Sequence, residues 1–131
     1  MKGLKDLRLL IVDDEEEIRE VLQQYLRRKV KSVQIAQSGT EALDLMTRDD
    51  FDVVITDIMM PGAGADGVSL TRKIRSSFPK TQVIIAITGR SNETEQELLN
   101  AGINKVLYKP FQLSTLMSSI EGCFRMSSPT P

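Results

Sequence analysis

Five polar residues each stand at the end of a short apolar run or directly after it: Asp13, Asp14, Asp57, Thr88 and Lys109. If a fold brought the three carboxylates together, their mutual repulsion would make them costly to ionise unless a hard divalent cation lay among them. Mg²⁺ accepts a few carboxylate oxygens and keeps several waters, so it fits a shallow site better than Ca²⁺ does. A lysine and a hydroxyl opposite the acids are suitable donors to phosphoryl oxygens. Together these residues could hold a phosphoryl group beside a magnesium ion.

The elements that must position these residues follow from the rhythm of the apolar residues. Residues 7–12, 53–55 and 83–87 are continuously apolar or nearly so, which predicts strands covered on both faces; residues 33–36 alternate, and 106–108 form a short run. Helical i, i+3, i+4 spacing fills the stretches between them, as at Ile18, Val21 and Leu22. Five strands alternating with five helices predict an α/β protein, a three-layer α/β/α sandwich with a parallel sheet.

The strand order follows from the same patterns. Buried strands belong inside the sheet and the alternating and short strands at its edges, which predicts the flavodoxin-like order 2-1-3-4-5. In such sheets ligands bind beyond the carboxyl ends of the strands, where the winding reverses between the first and third strands. All five polar residues named above are predicted to lie at that edge.

Composition limits the chemistry. The chain has 131 residues, a net charge of −1, one cysteine and no histidine, so it cannot supply a histidine nucleophile, a histidine metal ligand or an intrachain disulfide. The balanced charge gives no electrostatic footprint for nucleic acid or an anionic membrane, and we expect neither as a partner of this domain. The first residues are too polar for a signal peptide and no apolar run could span a bilayer, so a cytoplasmic location is expected.

The sequence resembles the receiver domain of two-component response regulators, of the chemotaxis-regulator kind, over about residues 6–126. Four segments carry the resemblance: Val12-Asp13-Asp14-Glu15, Asp57-Ile58-Met59-Met60-Pro61 followed by Asp66-Gly67, Ile87-Thr88-Gly89, and Lys109-Pro110-Phe111. The expected domain is therefore 1–126, with 127–131 a polar tail or linker.

The resemblance implies that Asp57 takes a phosphoryl group from a phosphohistidine on a sensor histidine kinase or a histidine phosphotransfer protein. It also implies that Asp14, Asp57 and the backbone carbonyl of Met59 bind Mg²⁺ directly, and that Asp13 does so through water. Lys109 would pair with the phosphoryl group and Thr88 would move to hydrogen-bond it. Such a protein catalyses its own phosphoryl transfer and dephosphorylation without being a conventional enzyme. A cis Lys109–Pro110 bond is implied as well.

Two departures from the family pattern limit what can be carried over from the resemblance. Residues 62–65 make the loop after Pro61 about two residues longer than usual, which predicts a more mobile loop. Val106 stands where most receivers carry an aromatic residue that follows the threonine, so that relay cannot be carried over. Tyr108, on the same face of the strand, is either a partner contact or a plain surface aromatic. The resemblance makes the face of the fourth helix, fifth strand and fifth helix the expected output surface, with an unknown partner or downstream domain.

Simpler readings of the same residues remain open. Asp13 or Asp14 could be an N-cap of the first helix with Glu17, and Asp57 a turn acid. Thr88 could merely end a strand and Lys109 could be a solvated edge residue. Residues 15–17 are interpreted as a solvated, acidic first turn.

At the level of function, the alternatives are an interaction module of this fold that is not phosphorylated and, less favoured, an aspartate-nucleophile phosphatase. The phosphatase would need Asp-x-Asp after the first strand and a cap insertion, whereas the chain has Asp13-Asp14-Glu15 there and no insertion.

Overall fold

The structure is a computed structural model that describes residues 3–60, 66–89 and 93–127. Five strands run through it: β1 Arg8–Val12, β2 Ser32–Ala36, β3 Val53–Asp57, β4 Val83–Thr88 and β5 Lys105–Tyr108. The helices are α1 Glu16–Leu26, α2 Gly39–Arg48, α3 Gly67–Ser77, α4 Glu95–Asn100 and α5 Leu113–Ser127, and a single 3₁₀ turn at Leu4–Asp6 precedes β1. Each strand is followed by a helix, as the apolar pattern predicted.

The strands form one parallel sheet in the order β2-β1-β3-β4-β5. The predicted order is therefore confirmed, with the alternating and the short strand at the edges. The register aligns the carboxyl ends of neighbouring strands. Val12 of β1 lies opposite Thr56 of β3, and Thr88 of β4 lies opposite Tyr108 of β5. This register brings the residues that follow the strands to one edge of the sheet.

Two hydrophobic layers cover the sheet, one on each face, because successive residues of a strand point to opposite sides. Leu10 and Val54 pack on one face with residues of α2, α3 and α4, and Leu9 and Ile55 pack on the other with residues of α1 and α5. All residues of β3 and β4 are buried, as expected of central strands in a parallel sheet. The three-layer α/β/α sandwich is confirmed.

Three helices begin with a side-chain N-cap, and α1 does not. Ser38, Asp66 and Thr94 are the N-caps of α2, α3 and α4, each accepting a hydrogen bond from the backbone N–H three residues later. The N-cap of α1 is Glu15 and its side chain makes no capping bond. The reading of Asp13 or Asp14 as an N-cap is therefore wrong, and both carboxylates are available to the edge of the sheet.

Helix α4 is short and has little apolar anchorage. Leu98 is its only buried residue, and Leu99 remains 38% exposed. The helix ends at Asn100. Gly102, two residues later, has a φ of +116° that favours glycine, and its carbonyl oxygen accepts two hydrogen bonds from the guanidinium of Arg75 in α3. Arg75 also donates to Oδ1 of Asn104 at 2.6 Å. The turn after α4 is thus held by hydrogen bonds from one arginine, beside the buried Ala101 and Ile103.

Helix α5 continues to Ser127, one residue past the predicted domain end, and residues 128–131 lie outside the described part. The long loop at residues 62–65, Pro61 and Arg90 also lie outside it. Across the described ranges, no helix has the length and apolar character needed to cross a membrane.

Candidate phosphoryl-transfer and metal site

Lys109 joins the carboxyl edge of β1 to that of β3. Its Nζ lies 3.1 Å from Oδ2 of Asp57 and 3.3 Å from Oδ2 of Asp13, and it is 3.4 Å from Oε1 of Glu15. The lysine side chain is 19% exposed, so it is not the solvated edge residue of the simpler reading. Burial by itself would lower the pKa of Lys109, but hydrogen bonds and charges of Asp57 and Asp13 outweigh it and raise the pKa above its ordinary value. The ammonium therefore stays charged and holds the acids together.

Pro110 follows Lys109 where the chain leaves β5. The Lys109–Pro110 peptide bond is cis, which confirms the prediction made from the resemblance. The backbone N–H of Lys109 donates to the carbonyl oxygen of Thr88 at 2.8 Å, so the chain leaving β5 stays tied to the end of β4.

Asp13 is fully buried and is held from four directions. Its N–H donates to the carbonyl oxygen of Ala36, its Oδ1 accepts from the N–H of Glu15 at 2.8 Å, and its Oδ2 faces Lys109. Its own carbonyl oxygen accepts from Nη1 of Arg19 at 2.7 Å. Burial raises the pKa of Asp13 to about 6, and the charge of Asp57 adds to the rise, whereas the hydrogen bond from Glu15 and the Lys109 ammonium oppose it. Holding this acid ionised in the metal-free protein is thus costly.

Asp57 is the last residue of β3 and only 4% exposed. Its Oδ1 accepts from the N–H of Met59 at 3.1 Å and its Oδ2 faces Lys109. An isolated turn acid would be solvated, so this burial argues against the simpler reading of Asp57. Both carboxylate oxygens are oriented by fixed donors, which is the arrangement a nucleophilic carboxylate needs.

Gly67 shows why the segment after Asp57 carries Asp-Gly. A Cβ on Gly67 would collide with the backbone carbonyl oxygen of Asp57 and lie only 2.8 Å from Cα of Ile58. The N–H of Gly67 donates to the carbonyl oxygen of Ile58 at 3.0 Å, while Asp66 caps the helix. Helix α3 therefore begins directly against the phosphoacceptor candidate, and only glycine permits that approach.

Thr88 and the residues of β5 lie next to this site. Thr88 is the final residue of β4 and is fully buried, one residue beyond Ile87, which pairs with Asp57. Val106 is buried against the α4 side of the sheet, with no ring to move. Tyr108 is 51% exposed, as predicted for either of its two readings.

A cluster of hard oxygen ligands surrounds the same point. Ligand atoms of Asp13, Asp14, Glu15 and Asp57 all lie within 4.8 Å of one another, with Asp14 and Glu15 exposed. Carboxylate oxygens this close suit Mg²⁺ or Ca²⁺ rather than a soft transition metal. The Lys109 ammonium contacts three of these four acids, so a divalent cation would relieve repulsion that Lys109 alone leaves. The residues fit a metal site.

Two neighbours of the site were not identified from sequence. The sequence pattern places Glu15 in a solvated first turn, but in the structure its carboxylate contacts the Lys109 ammonium. Arg19 has the spacing of an ordinary exposed helix residue, and only its separation of four residues from Glu15 could have hinted that it reaches back over the loop. Met59, the predicted carbonyl ligand, is 48% exposed and adjoins Asp57 through its N–H.

The strand order, the acidic cluster and the lysine that spans it define a receiver domain. Residues 9–121 match the family model described as response regulator receiver domain, and the chain belongs to that family. Among its curated relatives is the response regulator MprA of Mycobacterium sp. (strain KMS), 36% identical over 124 residues, which are 94% of this chain and 53% of that protein. MprA of Mycobacterium leprae is 35% identical over the same length. The chain thus spans about half the length of these relatives.

Solved structures agree with the assignment. The chemotaxis response regulator CheY4 of Vibrio cholerae is similar with a TM-score of 0.78 and 30% identity, covering 90% of this chain and 98% of that one. The receiver domain of the Francisella response regulator 1452 has a TM-score of 0.80 and 26% identity, covering 94% of this chain and 100% of that one. This chain is a receiver domain of two-component signalling.

Proposed function

We propose that Asp57 is the phosphoacceptor of a phosphorylation-activated switch. A carboxylate oxygen of Asp57 attacks the phosphorus of a phosphohistidine on a partner kinase or phosphotransfer protein. The new P–O bond forms as the P–N bond breaks, and its electron pair returns to the imidazole nitrogen of the partner. The observation that carries the proposal is the buried Asp57 carboxylate, oriented by the Met59 N–H and facing Lys109 Nζ at 3.1 Å. Because these 131 residues contain no histidine, the phosphohistidine must lie outside this receiver domain.

Lys109 and Thr88 are the residues proposed to bind the transferred group. In the unphosphorylated protein the ammonium contacts two buried acids, so a phosphoryl oxygen on Asp57 would offer it a stronger anionic partner at the same place. Thr88 ends the neighbouring strand and brings a hydroxyl donor to the same edge. These contacts would stabilise charge on the equatorial oxygens during transfer.

Asp13, Asp14, Asp57 and the carbonyl of Met59 are proposed to hold Mg²⁺. When bound, Mg²⁺ neutralises charge on the phosphoryl oxygens. The chain's own contribution is to keep these acids at one edge through Lys109 and the anchored Asp13. The closeness of the four carboxyl groups supports this assignment.

An apolar groove beside Lys109 supports docking of the histidine donor. The groove has a volume of about 500 Å³ and lies between α1 and the chain after β5, lined by Ile18, Val21 and Phe111. Val21 is 51% exposed in it and so offers apolar surface to a partner. A partner helix seated there would bring its phosphohistidine to the entrance of the site.

Output is proposed to pass through the face of α4, β5 and α5. Helix α4 is weakly packed, and Tyr108 and a groove of about 640 Å³ along β5 and α5 present contact surface. The relatives are about twice as long as this chain, which supports a downstream output domain, although a stand-alone receiver would use the same face. A cytoplasmic location, the sequence-based expectation, is part of this proposal.

One experiment tests the phosphoacceptor. The protein is incubated with Mg²⁺ and a small phosphodonor, and intact mass is followed over time for the wild type, Asp57→Asn and the matched control Asp44→Asn. Asp44 is an exposed acid that pairs with Arg48 on α2, remote from the sheet edge. We expect one acid-labile phosphoryl mass in the wild type and in the control, and none in Asp57→Asn.

The other readings give different results. A protein that only docks with partners would gain no phosphoryl mass in any variant. A phosphatase would release phosphate catalytically from phosphomonoesters as well, which a receiver domain does not do. Phosphorylation of Asp57→Asn at the wild-type rate would show that the acceptor is another residue.

A further inference from the structure

Arg19 is the residue of α1 that reaches back to the acidic loop. Its Nη1 donates a hydrogen bond of 2.7 Å to the backbone carbonyl oxygen of Asp13, while its own N–H donates to the carbonyl of Glu15 in the first turn of the helix. The side chain is half-buried. Nothing in the chemistry of phosphoryl transfer described above uses this side chain.

The contact fixes one particular peptide plane. The carbonyl oxygen of Asp13 belongs to the peptide that joins Asp13 to Asp14, so pinning that oxygen fixes the orientation of the bond from which the Asp14 side chain departs. Asp13 itself is already fixed by Ala36, Glu15 and Lys109. Asp14 is exposed and follows directly, in a loop of three residues before α1. Without Arg19, this peptide plane would lose the hydrogen bond that holds its carbonyl oxygen.

We propose that Arg19 is a positioning residue for the metal site, which holds the Asp13–Asp14 peptide so that the two carboxylates present oxygen ligands to a divalent cation together. This inference rests on the proposed function, because it assumes that Asp13 and Asp14 bind the cation. A charge-assisted bond to a neutral carbonyl suits the role. It sets the geometry of the acids without forming an ion pair with either carboxylate, so it does not compete with the cation for their oxygens.

The test compares Arg19→Met with Arg19→Lys and with the control Arg28→Met. Methionine keeps an unbranched stem of good helix propensity but cannot donate, while lysine restores a charged donor of similar reach. Arg28 is an exposed cation that follows α1 at the opposite end of the sheet, so its loss removes the same charge without touching the loop. Urea unfolding of each metal-free variant gives its stability separately from its metal affinity.

Two measurements report on how Arg19 positions the Asp13–Asp14 peptide. In the metal-free protein, hydrogen exchange of the Glu15 amide, which donates to Asp13 Oδ1, should become several-fold faster in Arg19→Met while amides of β3 and β4 keep their protection. Titration with Mg²⁺ followed by the amide shifts of Glu15 and Met59 should show affinity weakened about ten-fold in Arg19→Met, the size typical of outer-shell partners of metal ligands. Arg19→Lys should recover most of the affinity and Arg28→Met should equal the wild type.

The inference and the proposed function fail in different ways. If the wild type binds Mg²⁺ and Arg19→Met binds it equally well, Arg19 does not position the site and only the inference is overturned. If Arg28→Met weakens binding as much as Arg19→Met, the effect is one of general charge, and the inference is again overturned. If the wild type shows no Mg²⁺-dependent shift at the site, the proposed metal site fails and the inference fails with it. Should Arg19→Met not fold, Arg19→Gln takes its place, because its shorter neutral side chain cannot supply the charged donor at the carbonyl of Asp13. Mg²⁺ affinity equal to that of the wild type in this variant would overturn the inference.

Discussion

The buried Asp13 carboxyl group should make the free energy of unfolding of the metal-free protein depend on pH. The carboxyl group is fully buried, and its pKa rises from an ordinary 3.8 to about 6. Because the folded state then holds this proton more tightly than the unfolded state does, the folded protein is favoured at low pH and loses stability as the pH rises from about 4 to about 6. Above that range the penalty stays constant. A rise of about two pKa units corresponds to about 3 kcal/mol.

The perturbation is Asp13→Asn. Asparagine keeps an oxygen that can accept the N–H of Glu15, but it has no charge to lose or gain with pH. Relative to the wild type, the variant should therefore gain about 3 kcal/mol of unfolding free energy between about pH 4 and about pH 7. At the acidic end the two proteins should be of similar stability, because Asp13 is then neutral in both states.

The assay is urea unfolding followed by far-ultraviolet circular dichroism, since the chain has no tryptophan. A chelator is present throughout, because a bound divalent cation would favour the ionised acid and hide the effect. Asp14→Asn serves as the matched control: Asp14 is the neighbouring acid but is exposed, so its difference from the wild type should vary much less with pH. Parallel stability curves for wild type and Asp13→Asn, or a wild type that gains stability relative to the variant as pH rises, would refute the reasoning.

Three further predictions concern the same edge of the sheet. Millimolar Mg²⁺ should raise the melting temperature of the wild type and raise that of Asp14→Ala much less; an equal rise would place the cation elsewhere. Gly67→Ala should lower the free energy of unfolding by about 2 kcal/mol or more, because the new Cβ collides with the Asp57 carbonyl, and urea unfolding measures it; unchanged stability would contradict the close approach. In this family the positions two after the acceptor aspartate and two after the threonine flank the water that attacks the phosphoryl group, and here they are Met59 and Arg90. Neither side chain can accept a proton from that water, so the phosphorylated protein should be long-lived, and the double variant Met59→Asn, Arg90→Glu should lose phosphate faster in a time course of intact mass; unchanged or slower loss would contradict this.

Much of the architecture could be predicted from the sequence because it depends on local periodicity. Continuous apolar runs such as 83–87 are stable only where helices cover both faces of a sheet, and this restricts them to central strands. Once the strands are parallel, every residue that ends one must arrive at the same edge, so Asp57 and Lys109 could be placed together although 52 positions separate them. The family resemblance supplied the expected roles of these residues, and the matching family model confirms the family.

Only the tertiary structure shows which of the two adjacent acids, Asp13 or Asp14, is buried with a raised pKa, and which contacts hold it in place. Asp13 and Asp14 are the same residue type at adjacent positions, yet one is fully buried and the other exposed, because a loop has no side-chain period that would tell its inner residues from its outer ones. The hydrogen bond from Arg19 to Asp13 and the collision that requires glycine at 67 are likewise invisible in the sequence. Both depend on where a helix begins relative to a strand end, to within the width of one atom, and that distance is set only when all layers pack together.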